Sequence, residues 1–112
     1  MSDRIISMNK LILVYMTSAS IEEAKEIARH LLEKKLIGCA NIYSGIESMY
    51  FWEGKIAESR ECILIAKTTE DKFEDMKKEV EKIHSYDIPC IVKIPVDANQ
   101  KYADWIKKEL IK

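Results

Sequence analysis

The sequence predicts an α+β fold in which helices cover one face of an antiparallel sheet. Two observations carry this prediction. The apolar residues switch between strand and helix periodicity in the order β, α, β, β, α, β, α, and only 3 Gly and 2 Pro occur among 112 residues, which leaves long stretches for regular structure. A content of 47% apolar and 33% charged residues is that of a globular and not a disordered chain. We therefore expect one domain over residues 11–112, preceded by a flexible N-terminal segment at 1–10.

The first strand and the first helix are predicted from adjoining segments. Residues 11–16 (LILVYM) form a continuous apolar run, which is typical of a central strand buried on both faces. Ser20 and Glu23 stand at the spacing of a capping box, which marks the start of a helix. The helix should end near Gly38. Its apolar stripe, at steps of three and one, comprises Ile21, Ala24, Ile27, Ala28, Leu31 and Leu32.

A long β-hairpin is predicted in the middle of the chain. Residues 39–52 are rich in strand formers, with a bulge expected at 44–45. Residues 56–67 form the antiparallel partner after a tight turn at 53–54. Such strands span roughly 40 Å at 3.3 Å per residue, whereas a globular chain of this length has a radius of gyration of about 13 Å. The hairpin should therefore extend beyond its own core and be covered by a neighbouring copy, so we expect a homo-oligomer.

The last third of the chain completes the order of elements. Residues 90–96 form a fourth strand, in which Pro95 fits an edge position. Asp97 and Gln100 are expected to cap a last amphipathic helix. The helix that precedes strand four has apolar residues three and four apart, namely Phe73, Met76, Val80 and Ile83. With short right-handed crossovers, this order predicts a ferredoxin-like split βαβ sandwich with an added C-terminal helix.

The charge balance and the cysteines bear on partners and compartment. With 18 Lys+Arg against 19 Asp+Glu, the chain lacks the field that draws nucleic acid or an anionic membrane. Strand three also lacks the basic, glycine and aromatic signature of an RNA-recognition module, which has a similar fold. Three cysteines without a CxxC pair indicate reduced thiols, and no apolar run near the start is long enough for a signal segment or a membrane span. We expect a cytoplasmic protein without nucleic-acid or membrane partners.

Five blocks of the chain carry a family resemblance. They are GCANI at 38–42, SMYFWEGKI at 48–56, Glu61 with KT at 67–68, HSYDIP at 84–89, and Tyr102 with Trp105. In order and spacing, over residues 11–110, they resemble the CutA divalent-cation-tolerance proteins. One block departs from the family pattern, because the usual His-Pro-Tyr-Glu is His-Ser-Tyr-Asp at residues 84–87.

The resemblance implies a trimer whose long hairpins join the sheets of neighbouring subunits, a role in tolerance to metals such as copper, and no established catalysis. We therefore expect a homotrimer that is not an enzyme, has no organic cofactor, and binds copper or another divalent metal weakly. Some copper-binding members carry Cys at the position of Met16 and a His pair at positions 83 and 84. This chain has Met16, Ile83 and His84 there, so one strong ligand of that set is retained.

Three residues are candidate metal ligands, and each has a structural alternative. His84 follows the second helix, where a neutral imidazole can bind copper or zinc, but the helix dipole also favours a histidine there. Met16 lies in the apolar first strand, where methionine ordinarily fills the core. Cys39 opens strand two; its thiolate suits a soft metal such as Cu(I), whereas free cysteine in a strand often packs as a small hydrophobe.

Six residues are candidates for a cleft between subunits: Tyr50, Trp52, Glu61, Lys67, Tyr86 and Trp105. Glu61 and Lys67 share a face of strand three, where they either form a structural ion pair or clamp a ligand. The aromatic residues either wall that cleft or pack at an interface. Such a cleft supports an alternative function, a PII-like trimeric sensor that binds a small anion or a nucleotide. The turn at 53–54 is too short for the partner-reading loop of those sensors, which favours the metal-tolerance role.

Overall fold

The structure, a computed structural model, describes residues 9–111. The strands are β1 (Lys10–Ser18), β2 (Cys39–Trp52), β3 (Lys55–Thr68) and β4 (Ile91–Asp97). The helices are α1 (Ile21–Glu33), α2 (Phe73–Ile83) and α3 (Gln100–Glu109), with a 3-10 turn at Glu70–Lys72 before α2. Of the N-terminal segment predicted to be flexible, residues 1–8 lie outside the described residues, and Lys10 already pairs in β1. No helix within residues 9–111 is long and apolar enough to cross a membrane.

The four strands form one antiparallel sheet in the order β2–β3–β1–β4. β1 is central, with Met16 opposite Leu64 on one side and opposite Ile91 on the other. The crossovers through α1 and α2 complete the split βαβ arrangement, which confirms the predicted α+β ferredoxin-like fold. β4 lies at the edge, and Pro95 is tolerated there because only one side of the strand pairs.

The main core lies between the sheet and the helices α1 and α2. Alternate residues of β1 and β3 point to this face, so Val14, Met16 and Leu64 are at most 1% exposed. The helices contribute the stripes predicted from the sequence, with Ala24, Ile27, Ala28 and Leu31 from α1 and Met76 and Val80 from α2. This apolar cluster holds the protomer together.

The opposite face of the sheet is covered only in part. α3 packs over one end of it, where the buried residues are Leu11, Ala103, Ile106 and Leu110. Beyond that end, Leu13, Tyr15 and Thr17 of β1 are only half-buried. The prediction that the first strand is buried on both faces is therefore wrong for most of its length, because α3 has 10 residues and spans only about 15 Å.

Local hydrogen bonds set where the helices start. At the start of α1, Ser20 Oγ accepts a 3.1 Å bond from the Glu23 N–H. Glu23 Oε1 in turn accepts a 2.9 Å bond from the Ala19 N–H. These reciprocal bonds confirm the capping box. The predicted cap of α3 is wrong, because Asn99 occupies the N-cap position without a side-chain bond. Asp97 still belongs to β4, where its carboxylate forms a 3.0 Å ion pair with Lys10.

α1 ends at Glu33, before the predicted end near Gly38. Lys35 adopts a left-handed φ of 60°, and its N–H donates a 3.0 Å bond to the Leu32 carbonyl, which closes the helix. Gly38 serves a different purpose. A Cβ at this position would lie 3.0 Å from Ile106 Cδ1, so glycine allows α3 to approach the sheet closely.

The hairpin of β2 and β3 has the predicted bulge, turn and length. The register shifts between Tyr43 and Ile46, where Gly45 has a φ of 80°. Glu53 and Gly54 have φ values of 51° and 79°, as a tight hairpin turn requires. Beyond the bulge the hairpin leaves the core, and the chain measures 51 × 28 × 22 Å with a radius of gyration of 15.3 Å. This exceeds the roughly 13 Å of a compact chain of the same length, which confirms the predicted overhang.

Candidate functional site

Both ring nitrogens of His84 are engaged in hydrogen bonds. His84 caps the C-terminal end of α2, and its Nε2 lies 2.8 Å from the Thr17 carbonyl oxygen. The backbone N–H of Tyr86 donates a 3.1 Å bond to His84 Nδ1. Because an N–H can only donate, Nδ1 carries the lone pair and Nε2 carries the proton that is donated to Thr17. The ring is held as a neutral tautomer, and metal coordination at either nitrogen would break one of these bonds.

The other two candidate metal ligands lie on opposite faces of the sheet. Met16 stands opposite Leu64 on the helix-covered face and is 1% exposed. Cys39 stands opposite Lys67 and shares its face of the sheet. Lys67 is three residues from Leu64 on β3, and side chains an odd number of residues apart point to opposite faces, so Cys39 lies on the face away from Met16. The structure does not bring His84, Met16 and Cys39 together. Across residues 9–111, no three His, Cys, Asp or Glu side chains group closely enough to hold a metal ion.

Cys39 lies beside a tyrosine and a lysine. The Lys67 ammonium is 5.2 Å from the centroid of the Tyr102 ring, a cation–π distance. Burial, followed by a hydrogen bond with the Cys39 thiol, raises the pKa of Tyr102. The remaining thiols, Cys62 and Cys90, have pKa values raised by burial, which lowers their reactivity. Cys39 is distinguished from them by the neighbouring tyrosine and lysine.

Glu61 and Lys67 do not pair with each other. They lie six residues apart on β3, roughly 20 Å at 3.3 Å per residue. The Tyr86 hydroxyl donates a 2.6 Å bond to Glu61 Oε2, a length typical of a charge-assisted bond. Burial and this bond raise the pKa of Tyr86. The ion pair considered from the sequence is therefore replaced by two separate contacts, Glu61 with Tyr86 and Lys67 with Tyr102.

Part of the predicted cleft is assembled near the tip of the hairpin. A hollow of about 470 Å³ is lined by Tyr50, Phe51, Trp52, Ala57, Tyr86, Asp87 and Ile88; we call it the aromatic hollow. Three predicted cleft residues, Tyr50, Trp52 and Tyr86, thus meet within one protomer. Trp105 lies elsewhere, on α3, with its ring centroid 5.8 Å from that of Tyr102.

Sequence reasoning missed one residue that supports this hollow and four that line it, namely Phe51, Ala57, Asp87 and Ile88. Asp87 and Ile88 line it, and the HSYDIP block that contains them was the available signal. Glu23 was assigned only to the capping box, yet its Oε2 also accepts a 2.9 Å bond from the Ser85 N–H. Burial raises the pKa of Glu23, but the bonds from Ala19 and Ser85 outweigh it, and the net pKa is lowered. This carboxylate ties the loop after α2 to the start of α1.

Comparison with known proteins gives consistent results. The family model described as CutA1 divalent ion tolerance protein matches residues 12–109. A relative in Archaeoglobus fulgidus, the divalent-cation tolerance protein CutA, is 47% identical over 94 residues, which are 83% of this chain and 91% of that protein.

Solved structures are similar over nearly the whole chain. The divalent ion tolerance protein CutA1 from Ehrlichia chaffeensis superimposes with a TM-score of 0.88 at 40% identity, covering 94% of this chain and 99% of that one. The periplasmic divalent cation tolerance protein CutA from Archaeoglobus fulgidus gives a TM-score of 0.87 at 42% identity, with coverages of 90% and 99%. Sequence and fold therefore point to the same group of proteins.

Proposed function

Because the chain belongs to the CutA1 divalent ion tolerance protein family, we propose that it serves tolerance to divalent metal ions as a cytoplasmic homotrimer with weak copper binding. We assign it no catalytic step, in keeping with relatives that are named as tolerance proteins. One observation carries the assembly part of the proposal: large apolar side chains are exposed on the hairpin beyond the core.

The exposed apolar surface supports association of identical copies. Phe51, Met49 and Ile56 near the hairpin tip are 75%, 67% and 65% exposed. On the sheet face that α3 leaves open, Tyr43 is 69% and Val92 48% exposed. A monomeric protein rarely leaves so much contiguous apolar surface in water. Covering it with neighbouring copies would remove this cost.

The geometry favours a closed ring over a two-fold dimer. The hairpin tip and the open sheet face lie at different places on the protomer, so a hairpin that reaches a neighbour's sheet forms a contact between unlike surfaces. Contacts of this kind close into rings when the rotation permits. Both edge strands, β2 and β4, have backbone groups that a neighbour's strand can pair with. A ring of three is the assembly that we propose.

We place the weak copper contact at Cys39. Of the three candidate ligands, Met16 is buried in the core and His84 uses both ring nitrogens. The Cys39 thiol is half-buried, and thiolates favour Cu(I). A single ligand per protomer gives low affinity, so copper would be bound as a transient cargo.

Native mass spectrometry tests assembly and copper binding together. We expect a trimer and, under reducing conditions with one equivalent of copper per subunit, partial copper retention. Cys39→Ser should abolish retention, whereas Cys62→Ser, which changes a buried thiol, should not. A monomer at working concentration would refute the assembly, and unchanged retention in Cys39→Ser would refute the ligand.

Growth tests the tolerance role separately. A bacterial host that lacks its own CutA1 relative is supplied with this chain and grown at rising copper. We expect growth to extend to higher copper than with an empty vector. Growth equal to that of the empty vector would refute the role, whatever the mass spectra show.

A further inference from the structure

We propose that the aromatic hollow binds an organic ammonium ion, that is, a protonated amine with an aromatic or alkyl arm. The hollow measures about 470 Å³, within the range of small-molecule sites. All of its lining residues come from one protomer. The proposal does not rest on copper binding, and it is tested on the assembled protein, because Phe51 and Trp52 also belong to the hairpin surface that the proposed trimer covers.

The rings that line the hollow suit a positive charge. Tyr50, Trp52 and Tyr86 contribute aromatic surface, and an ammonium group is attracted to the faces of such rings. Tyr86 also donates its hydroxyl proton to Glu61 in a 2.6 Å bond. This bond shifts electron density from the carboxylate into the phenol, which makes the Tyr86 ring a better partner for a cation.

The charged side chain that lines the hollow is a carboxylate. Asp87 is the charged residue of the lining, and it makes no hydrogen bond or ion pair with any residue in the described range 9–111. Glu61 adds a second carboxylate directly behind Tyr86. Of the nearby basic residues, Lys55 stands opposite Trp52 in the ladder but does not line the hollow, and Arg60 is bonded to the Glu47 carboxylate at 2.9 Å. A cation is favoured over the small anion of the alternative function considered from the sequence.

The wall that carries Tyr86 and Asp87 is fixed before any ligand arrives. His84 is bonded to Thr17 at 2.8 Å and to the Tyr86 N–H at 3.1 Å. The rings of His84 and Tyr86 also pack with centroids 4.7 Å apart. A preformed wall reduces the ordering cost of binding, so the neutral His84 acts as a positioning residue for this site.

Three probes of similar size and different charge test the proposal: benzylammonium, benzyl alcohol and benzoate. The chain has 2 Trp, so a Trp105→Phe background leaves Trp52 as the single tryptophan reporter. Titration followed by Trp52 fluorescence should give binding of benzylammonium about tenfold tighter than benzyl alcohol, as expected for a partly desolvated cation–π site with a carboxylate. Benzoate should bind most weakly.

Matched variants identify the carboxylate. Asp87→Asn should remove most of the preference for benzylammonium, whereas Asp75→Asn, which neutralises an exposed residue in the first turn of α2, should leave it intact. Equal affinity for all three probes would reduce the hollow to an apolar recess and overturn the proposal. A preference for benzoate, or absence of binding to the assembled protein, would overturn it as well. Retention of the preference in Asp87→Asn would refute the role of Asp87.

Discussion

Replacing His84 by alanine tests whether this side chain is an anchor of the loop that follows α2. The substitution removes the bond from Nε2 to the Thr17 carbonyl, 2.8 Å, and the bond that Nδ1 accepts from the Tyr86 N–H, 3.1 Å. Each such bond contributes about 0.5–1.5 kcal/mol net. The variant should therefore lose about 1–3 kcal/mol of local stability at this loop.

Amide hydrogen exchange measures this loss where it occurs. A local opening made easier by about 1–3 kcal/mol accelerates exchange roughly 5- to 150-fold. We expect this acceleration at the amides of Ser85 and Tyr86, whose N–H groups donate to Glu23 and to His84. Core amides such as that of Leu64 should exchange as in the unmodified chain, because they open only in global unfolding.

The second histidine provides the control. His30 lies in the last turn of α1 and bonds Glu79 of α2 at 2.9 Å, so His30→Ala should leave exchange at Tyr86 unchanged. Unaltered exchange at Tyr86 in His84→Ala would show that the two bonds do not hold the loop. Acceleration by copper in the unmodified chain would show that His84 exchanges its anchors for a metal.

Three further predictions concern assembly, pH and packing. Trp52→Ala should weaken self-association, by about 3–5 kcal/mol if the ring is fully buried between subunits; analytical ultracentrifugation at low concentration checks this, and an unchanged mass contradicts it. Hydrogen bonds from Lys82 and from His30 lower the pKa of Glu79 to about 2, from an ordinary value of 4.5. The Glu79 carboxylate therefore stabilises the fold above pH 4.5, and this stabilisation is lost as the pH falls toward 2. Unfolding of Glu79→Gln should thus differ from the unmodified chain at pH 7 and converge with it in acid; a constant difference would contradict the assignment. Gly38→Ala should lower stability by about 1–3 kcal/mol through the 3.0 Å approach to Ile106, and an unchanged melting temperature would show that α3 adjusts freely.

Patterns within single segments predicted the fold well. The apolar run of β1, the capping box at Ser20 and the long hairpin each depend on neighbours in sequence, and the structure confirms them. The end of α1 was predicted too late in the chain. The left-handed residue that closes the helix is Lys35, whereas the prediction relied on a glycine, Gly38. The predicted cap at Asp97 was wrong, because the Asp97 carboxylate pairs with Lys10 across the sheet.

The candidate site was predicted only in part, because it depends on how distant strands meet. β3 lies between β1 and β2. Whether Cys39 and Met16 share a face of the sheet therefore depends on the register of β3 with each of these strands, which the sequence does not reveal. Tyr50, Trp52 and Tyr86 were predicted as aromatic walls of the cleft, and the structure brings them together. Asp87 was passed over although it lies in the HSYDIP block, because nothing in the sequence shows that the loop after α2 reaches the hairpin tip.

The bulge between Tyr43 and Ile46 divides the hairpin into a part that packs in the core and a part that extends beyond it. The main buried cluster takes residues on either side of the segment 43–61 and none from within it. A chain shortened at the bulge and closed by a tight turn would keep every member of that cluster. Folding and association can therefore vary independently. Substitutions in residues 43–61 can alter association without changing the buried core. Shortening the hairpin at the bulge is a route to a monomeric form.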